Sequence, residues 1–358
     1  MLVTRGRARL LLGPIALAIG LVGTPTSARG QDYDLSGRAV AIYNIAGEVR
    51  VVATSGSQVT VAVDRGGSDG AKLSVETGKL GTTQTLRVIY PGDRIVYPPL
   101  GRRSRTQLRA RDDGTFGGNS HNGRGRGERV TVVGSGSGLE AYADLTIGVP
   151  EGQRIAVYLA VGAVSVTNVD GAIRIDTHSA DVTAGGTSGS LVVDVGSGRV
   201  EVTNARGEVN LDTGSGGIEV TGVQGRSLLI DTGSGSVTAS DIAVSDLDID
   251  TGSGRIRAEQ INASDIRLDT GSGSVTLELL SDARDIEIDT GSGSVTVTVP
   301  DSFGAEIDID TSSGDIDLAM PVTTRRWSRD HLTGTIGDGG ARLSIDTGSG
   351  TVRILSGN

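Results

Sequence analysis

The residues with the clearest capacity for chemistry are aspartates that recur at a regular spacing in the C-terminal half of the chain. Asp269 opens the stretch Asp-Thr-Gly-Ser-Gly-Ser-Val-Thr-Leu, and sharp or blurred copies follow at intervals of 18 to 21 residues. A last interval of 36 residues leaves room for a degenerate copy near Trp327. The aspartate-equivalent positions are Tyr158, Asp176, Asp194, Asp212, Asp231, Asp250, Asp269, Asp289, Asp310 and Asp346.

Carboxylates in this sequence context suggest catalysis first. Asp-Thr-Gly-Ser is also the active-site loop of pepsin-like proteases, in which two aspartates face each other across a cleft and share a proton. Stacked repeats would instead place the carboxylates in one row, which disfavours a protease. A polysaccharide lyase or hydrolase needs a distinguished pair of carboxylates or a base beside an acidic cluster, and no such set stands out. We therefore predict a protein that is not an enzyme, with a carbohydrate-active enzyme or lectin as the alternative.

Metal binding is the second chemical possibility. The order Asp-Thr-Gly-Ser-Gly and its period differ from the nonapeptide of calcium-binding β-rolls. Adjacent aspartates could still hold a hard cation through several oxygens. A calcium-binding repeat protein is therefore a further alternative. No cofactor is predicted apart from calcium in this alternative. The candidate metal ligands are Asp212, Asp231, Asp250, Asp269 and Asp289.

Short strands must position these aspartates. With each aspartate as position zero, positions −3, −1, +6 and +8 are apolar in every copy. A period of two on each side of a Gly-Ser-Gly turn predicts two short strands per repeat with one buried face. Such strands bury that face only by stacking on neighbouring repeats. We predict an all-β fold, a parallel β-solenoid of about eleven coils of 18–21 residues, with aspartate and threonine outside.

The chain before the repeats has three predicted parts. Residues 1–30 resemble a secretory signal, with arginines, a short apolar run and small residues around Ala28 and Gly30 for cleavage. An N-terminal membrane anchor is the alternative there. Residues 31–90 predict a β-strand region that caps the array. Residues 91–129 are rich in proline, glycine and arginine without apolar periodicity, which predicts a long flexible basic loop, and residues 130–358 form the solenoid.

Charge and cysteine content limit the partners. The chain has no cysteine, so a disulfide framework and a lipid-modified cysteine are excluded. Residues 170–358 hold 30 acidic and 13 basic residues, whereas residues 1–169 hold 13 acidic and 20 basic. An acidic rod with a basic loop could pair with itself, another copy or an anionic surface. We predict a cell-envelope or extracellular polymer or protein as partner, with self-association through the solenoid ends as an option, and neither nucleic acid nor a transmembrane span in the mature chain.

Two arginine-rich segments are the candidates for partner binding. One lies in the predicted basic loop, and the other replaces a regular coil and contains the single tryptophan of the chain. Departures from a repeat are suitable places for a binding site, although a decayed coil with tryptophan covering the core would look the same. The candidate partner-binding residues are Arg102, Arg103, Arg105, Arg325, Arg326 and Trp327.

A resemblance to a known family rests on three linked motifs. Residues 143–152 read Ala-Asp-Leu-Thr-Ile-Gly-Val-Pro-Glu-Gly, residues 161–166 read Val-Gly-Ala-Val-Ser-Val, and residues 171–177 read Gly-Ala-Ile-Arg-Ile-Asp-Thr. Together they resemble the bacterial DUF4097 family of β-strand-repeat proteins over residues 130–358 and, more weakly, 39–63. The resemblance implies a β-solenoid and an adhesive role, and supplies no catalytic residues. The predicted function is thus an exported, non-catalytic scaffold, adhesin-like or structural, located in the periplasm, at the cell surface or outside the cell.

Overall fold

The computed structural model describes residues 30–117 and 127–357. Apart from turns and two short 3₁₀ helices, Gly70–Lys72 and Pro98–Leu100, the regular structure of these residues consists of β-strands. For these residues the prediction of an all-β fold is confirmed. The predicted signal, except Gly30, and residues 118–126 of the predicted basic loop lie outside the described residues.

The strands of the described residues are numbered in chain order. Those before the regular coils are β1 (Gln31–Leu35), β2 (Ala39–Ala53), β3 (Val59–Gly66), β4 (Ser74–Leu80), β5 (Thr83–Ile89), β6 (Arg94–Val96), β7 (Arg105–Ala110), β8 (Glu128–Val133), β9 (Leu139–Glu140) and β10 (Tyr142–Val149). Those of the regular coils are β11 (Gln153–Thr167), β12 (Asp170–Gly185), β13 (Ser188–Ser197), β14 (Val200–Thr203), β15 (Arg206–Ser215), β16 (Ile218–Thr232), β17 (Val237–Thr251), β18 (Ile256–Thr270), β19 (Val275–Leu279), β20 (Asp285–Thr290) and β21 (Val295–Val299). The C-terminal strands are β22 (Ala305–Thr311), β23 (Ile316–Leu318), β24 (Val322–Trp327), β25 (His331–Ile336), β26 (Ala341–Thr347) and β27 (Val352–Ser356).

Successive coils pair in parallel and in register, which gives a β-solenoid-like stack. Asp231 on β16 lies opposite Asp250 on β17, which lies opposite Asp269 on β18. The aspartate and apolar positions therefore keep their place from coil to coil, although the register shifts between Gly207 and Glu208 and between Ala258 and Ile261. The apolar positions predicted from the sequence stack in one aliphatic core. Only Ile316 and Leu318, in the coil near the C-terminal end, are partly exposed among those positions.

A column of threonines points into the core of the stack. The prediction that these threonines lie outside is therefore wrong. Thr251, which follows Asp250, is fully buried because successive side chains of a strand point to opposite faces. Its Oγ1 accepts a hydrogen bond from Gly254 N–H at 3.0 Å and donates one to Gly235 O of the preceding coil at 3.0 Å. The same two bonds occur at Thr232, Thr270, Thr290 and Thr311.

The Gly-Ser-Gly corner requires glycine because neighbouring coils approach closely there. A Cβ on Gly254 would stand 1.7 Å from Gly235 O, and a Cβ on Gly273 would stand 1.7 Å from Gly254 O. Any side chain at these positions would push two coils apart. The repeated glycine is thus a condition of stacking as well as of turning.

The other corner of the regular coils is turned by a residue with positive φ. Asn and Asp tolerate this left-handed conformation better than other non-glycine residues. Gln260 is the least suited member of the column, with φ 56°. The column comprises Asn168, Gly186, Asn204, Gly222, Asp241 and Gln260.

The N-terminal strands continue the stack and then close it. β2 pairs in parallel with β11, so that Tyr43 lies opposite Tyr158. Beyond β2 the pairing becomes antiparallel, from β10 to β3 to β1 on one side and from β5 to β4 on the other. At this end the stack therefore terminates in the antiparallel strands β1 and β4 instead of in another parallel coil.

Residues 91–129 contain strands, so the prediction of a loop without strands is wrong for their described part. β6, β7 and β8 form a separate sheet with β9, in the order β7-β8-β6-β9. Leu108 and Ala110 of β7 are buried opposite Val130 and Glu128 of β8. The period of two along β7 is difficult to recognise in the sequence for two reasons. Only Leu108 and Ala110 are buried, between outward arginines, and the strand that pairs with β7 is far away in the sequence.

The C-terminal coil does not stack in the order of the sequence. β26 lies between β20 and β22, with Asp346 opposite both Asp289 and Asp310. β27 lies likewise between β21 and β23. Beyond β22 the stack ends in the antiparallel strands β25 and β24. The prediction of a degenerate coil near Trp327 is therefore wrong, because this segment is one strand of the antiparallel hairpin of β24 and β25.

Candidate functional site

The aspartates form a row along one lateral face of the stack. We call this surface the acidic face; adjacent members lie on adjacent strands, about 4.8 Å apart in such a sheet. The acidic face comprises Asp194, Asp212, Asp231, Asp250, Asp269, Asp289, Asp346 and Asp310, with Asp248, Glu287 and Asp308 two positions earlier on their strands.

The row holds like charges close together. Burial raises the pKa of the Asp250 carboxyl above its usual value, and the neighbouring Asp269 and Asp231 raise it further. The pKa values of Asp212 and Asp289 are raised by burial and then by the aspartates on each side. The folded state therefore holds a proton on Asp212, Asp250 and Asp289 more readily than an isolated carboxylate would.

Few groups neutralise this row from within the chain. Arg174 lies 3.9 Å from Asp176 and 3.8 Å from Asp194, and Arg267 lies 3.5 Å from Glu287. The threonine hydroxyls do not reach these carboxylates, because those of Thr232, Thr251, Thr270, Thr290 and Thr311 form hydrogen bonds inside the stack. The acidic face consequently presents a net negative field to solvent.

The five candidate metal ligands lie in this row but do not converge on one point. Within residues 30–117 and 127–357, no group of three or more His, Asp or Glu side chains is arranged to hold a metal ion. In an in-register sheet equivalent side chains extend side by side, so each carboxylate remains one strand spacing from the next. A groove of about 480 Å³ does run between Asp212, Asp231, Asp248, Asp250 and Arg267. Calcium binding stays a prediction.

Arginines cover the outward side of the small sheet, which we call the basic face. Arg109 of β7 lies directly opposite Arg129 of β8, and Arg94 of β6 lies beside Thr131. The basic face comprises Arg94, Arg105, Gln107, Arg109, Arg129 and Thr131. In the part of the chain that the structure describes, none of its guanidinium groups lies within 4.0 Å of a carboxylate.

Hydrogen bonds hold parts of the basic face in place. Arg94 Nε donates to Ser137 O at 2.7 Å, and Arg109 Nη1 donates to Gly127 O at 3.1 Å. Gln107 Nε2 donates to Thr131 Oγ1 at 3.3 Å. These bonds engage one nitrogen of each of the two arginines, which are exposed, and their other N–H groups remain available as donors to an anionic group.

Aromatic side chains anchor the small sheet and its following segment to the stack. Tyr43 and Tyr158 stack with ring centroids 4.5 Å apart, and Phe116 meets Tyr43 edge-on at 6.0 Å. Tyr97, which follows β6, contacts Tyr142 of β10 at 5.5 Å. The basic face is therefore held on the first coils of the stack.

The two groups of candidate partner-binding residues lie apart. Arg102 and Arg103 are exposed just before β7, next to Arg105 of the basic face. Arg325, Arg326 and Trp327 lie on β24, beyond the last coils.

Trp327 does not cover the core, since 59% of its surface is exposed. Arg325 already pairs with Glu306 at 2.6 Å. Sequence reasoning did not single out Arg94, Arg109 and Arg129 as site residues, because they share one face only through the pairing of β6, β7 and β8.

These features define a β-solenoid-like repeat protein with charged outer surfaces. Residues 128–355 match the family described as Toastrack DUF4097, and the chain belongs to this family, which confirms the resemblance found in the sequence. Within residues 30–117 and 127–357, no helix has the length and apolar character needed to cross a membrane.

A solved structure of low similarity is described as a "putative cell adhesion protein from Clostridium sporogenes ATCC 15579". It shares 9% identity, with 92% of this chain and 100% of that chain covered, at a TM-score of 0.19. At that TM-score the similarity supports no inference about this chain. Among curated proteins, none matches the chain.

Proposed function

We propose that this protein is an exported, non-catalytic scaffold of about eleven stacked coils that binds cell-envelope or extracellular polymers or proteins, in an adhesin-like or structural role. The observation that carries the proposal is the acidic face, on which the same side chain recurs at one spacing from coil to coil. Such a surface binds through many weak contacts whose summed strength replaces a deep pocket.

Export rests on the predicted signal at residues 1–30, and the proposed location is the periplasm, the cell surface or the medium. Fractionation of cells that express the full chain tests this part. Protein found only in the cytoplasm, with residues 1–30 retained, would contradict it.

A lectin or carbohydrate-active enzyme is the second candidate. A groove of about 480 Å³ lies between Leu100 and the glycine corner of the first coils, and Glu48, Asp181 and Tyr97 contribute to its lining. Ligand pockets of this size combine an apolar lining with a few polar groups that fix the orientation of the ligand. Release of reducing ends from a polysaccharide, abolished by Glu48→Gln, would favour this candidate over a non-catalytic scaffold.

The scaffold is tested with beads that carry the chain from residue 31, which contains every described strand, at several surface densities. The probes are purified peptidoglycan sacculi and intact bacterial cells. We expect capture to increase more steeply than in proportion to density, because several contacts must form together. Capture that is absent at every density, or simply proportional to density, would contradict the proposal.

A further inference from the structure

We propose that the basic face of one copy docks on the acidic face of a second copy, so that the protein assembles laterally into open chains. This goes beyond the scaffold function because it needs no external ligand. It also differs from pairing through the solenoid ends, since the acidic face runs along the side of the stack.

The basic face carries an electrostatic cost that a partner would relieve. Arg109 and Arg129 are a directly opposed cross-strand pair of like charge, which destabilises a sheet in the absence of an anion. Arg94 and Arg105 add two more positive charges on the same side. Guanidinium groups bind carboxylates through paired, charge-assisted hydrogen bonds, and no carboxylate of the described chain occupies these arginines.

The acidic face has the complementary charge and the complementary spacing. Its carboxylates are one strand apart, and Arg109 and Arg129 are also on neighbouring strands, so both charge patterns follow the strand spacing of about 4.8 Å. Burial and mutual repulsion raise the pKa values of Asp212, Asp250 and Asp289. Guanidinium groups placed between such carboxylates would lower the free energy of both surfaces.

The side chains of the basic face favour a carboxylate-bearing protein surface over a membrane or a nucleic acid. The exposed large apolar residues of the described chain are Val52, Leu229, Leu280 and Trp327, and none belongs to the small sheet. A lipid surface would be anchored by such residues, and single-stranded nucleic acid by exposed aromatic rings. On this chain, the acidic face has the charge and the spacing that fit these arginines.

The contact joins two different surfaces, so it is heterologous and leaves one face of each kind free at the ends. Each copy can therefore bind one neighbour through its arginines and another through its aspartates. Assembly should grow with concentration and should not stop at a dimer.

The test is sedimentation velocity of the chain from residue 31 at about 0.01 M and at about 1 M salt, where the Debye length falls from about 30 Å to about 3 Å. Two variants change the charge of the faces: the first reverses the basic face, and the second makes the middle of the acidic face positive. The first carries Arg105→Glu, Arg109→Glu and Arg129→Glu; the second carries Asp231→Lys, Asp250→Lys and Asp269→Lys. The control carries Thr238→Glu, Thr276→Glu and Thr296→Glu, which add charge at partly exposed positions on the strands that follow the Gly-Ser-Gly turn. Circular dichroism verifies that each variant is folded.

We expect the wild type and the control to associate at low salt and to dissociate at high salt, with an apparent dissociation constant that rises about tenfold or more. Each reversed variant alone should associate about tenfold or more weakly than the wild type at low salt. Asp289, Asp310 and Asp346 keep part of the acidic face negative in the second variant, so some residual association is expected there. An equimolar mixture of the two, or one chain carrying all six substitutions, should associate again because the charges are complementary once more.

Three results would overturn the proposal. The wild type could remain monomeric at low salt, the reversed variants could associate as the wild type does, or the mixture could fail to associate. A monomeric wild type that binds dextran sulfate through the same arginines would assign the basic face to an external polyanion instead. None of these outcomes bears on bead capture of sacculi by the acidic face, so the scaffold function can fail or hold separately.

Discussion

Replacement of Thr251 by valine tests whether the buried threonine column stabilises the stack. Valine keeps the branched shape but removes the hydroxyl, which leaves Gly254 N–H and Gly235 O without the bonds that Thr251 makes at 3.0 Å each. An unsatisfied buried polar group costs about 1–3 kcal/mol. We therefore expect Thr251→Val to lower the free energy of unfolding by about 2–4 kcal/mol.

Thr213 supplies a matched control at the equivalent position of an earlier coil. It is also fully buried, but its Oγ1 has no hydrogen-bond partner among the described residues. Thr213→Val removes an unpaired hydroxyl from the core, so it should leave stability unchanged or increase it by about 1 kcal/mol.

The assay is urea-induced unfolding of the chain from residue 31, followed by circular dichroism, with midpoints compared at constant slope. Amide hydrogen exchange at Gly254 in the wild type and in Thr251→Val locates the change. Equal midpoints for the two variants would refute the reasoning, because they would show that the hydrogen bonds of the column contribute nothing beyond the packing of its methyl groups.

Four further predictions concern the corners and the aspartate row. Gly216→Ala should lower stability by about 3 kcal/mol, since its Cβ would stand 1.8 Å from Gly198 O, whereas Gly217→Ala, with its nearest contact at 3.6 Å, should be neutral in the same urea assay. Gln260→Gly should raise the free energy of unfolding by about 1 kcal/mol by relieving the left-handed conformation; a lower midpoint would contradict this. Because folding raises the pKa of Asp250, its protonated form favours the folded state, and thermal stability should rise as pH falls from neutral through the raised value, with the gain complete below the usual 3.8. Asp250→Asn should be more stable than the wild type at neutral pH and should lose this part of the pH dependence. If calcium binds the row, an excess of about a hundred times its dissociation constant should stabilise the chain by about 2.7 kcal/mol relative to chelator; unchanged melting would leave the aspartates as strand and turn residues.

The regular coils were predictable because each carries its own period of two. Ile249 and Ile256 flank a Gly-Ser-Gly turn, and the same pattern in every coil fixes both the strands and their register. The outward position of Asp250 followed from the same alternation. That alternation also requires Thr251, the next residue, to point inward. The prediction that threonine lies outside overlooked this consequence.

The small sheet was not predictable from local pattern. β7 and β8 are separated by residues 111–127, and each strand is too short to stand out from its flanking glycines and arginines. The basic face depends on that pairing, because Arg109 and Arg129 become neighbours only when β7 and β8 are in register. A charged surface that exists only through long-range pairing leaves little signal in the linear sequence.

The order of the C-terminal coils was not predictable for a different reason. The coils near this end share the same apolar, Asp and Thr positions, so the sequence pattern alone does not select the order in which they stack. The interval of 36 residues before Asp346 is compatible with several orders. The hairpin of β24 and β25 determines the order of the coils. Its strand β25 pairs with one edge of β22, so β26 can pair only with the other edge.

The position of β26 between β20 and β22 also affects the order in which the strands can pair during folding. β26 leaves the ribosome after both of its neighbours, and until then β20 presents an open edge that Ile307, Ile309 and Asp310 of β22 match in type and register. A nascent chain can therefore close this gap early with β22 and must reopen it when β26 arrives. A chain refolding from denaturant presents all its coils at once and meets no such sequence of events. Folding during synthesis and refolding in the test tube should thus pass through different intermediates at this end of the molecule.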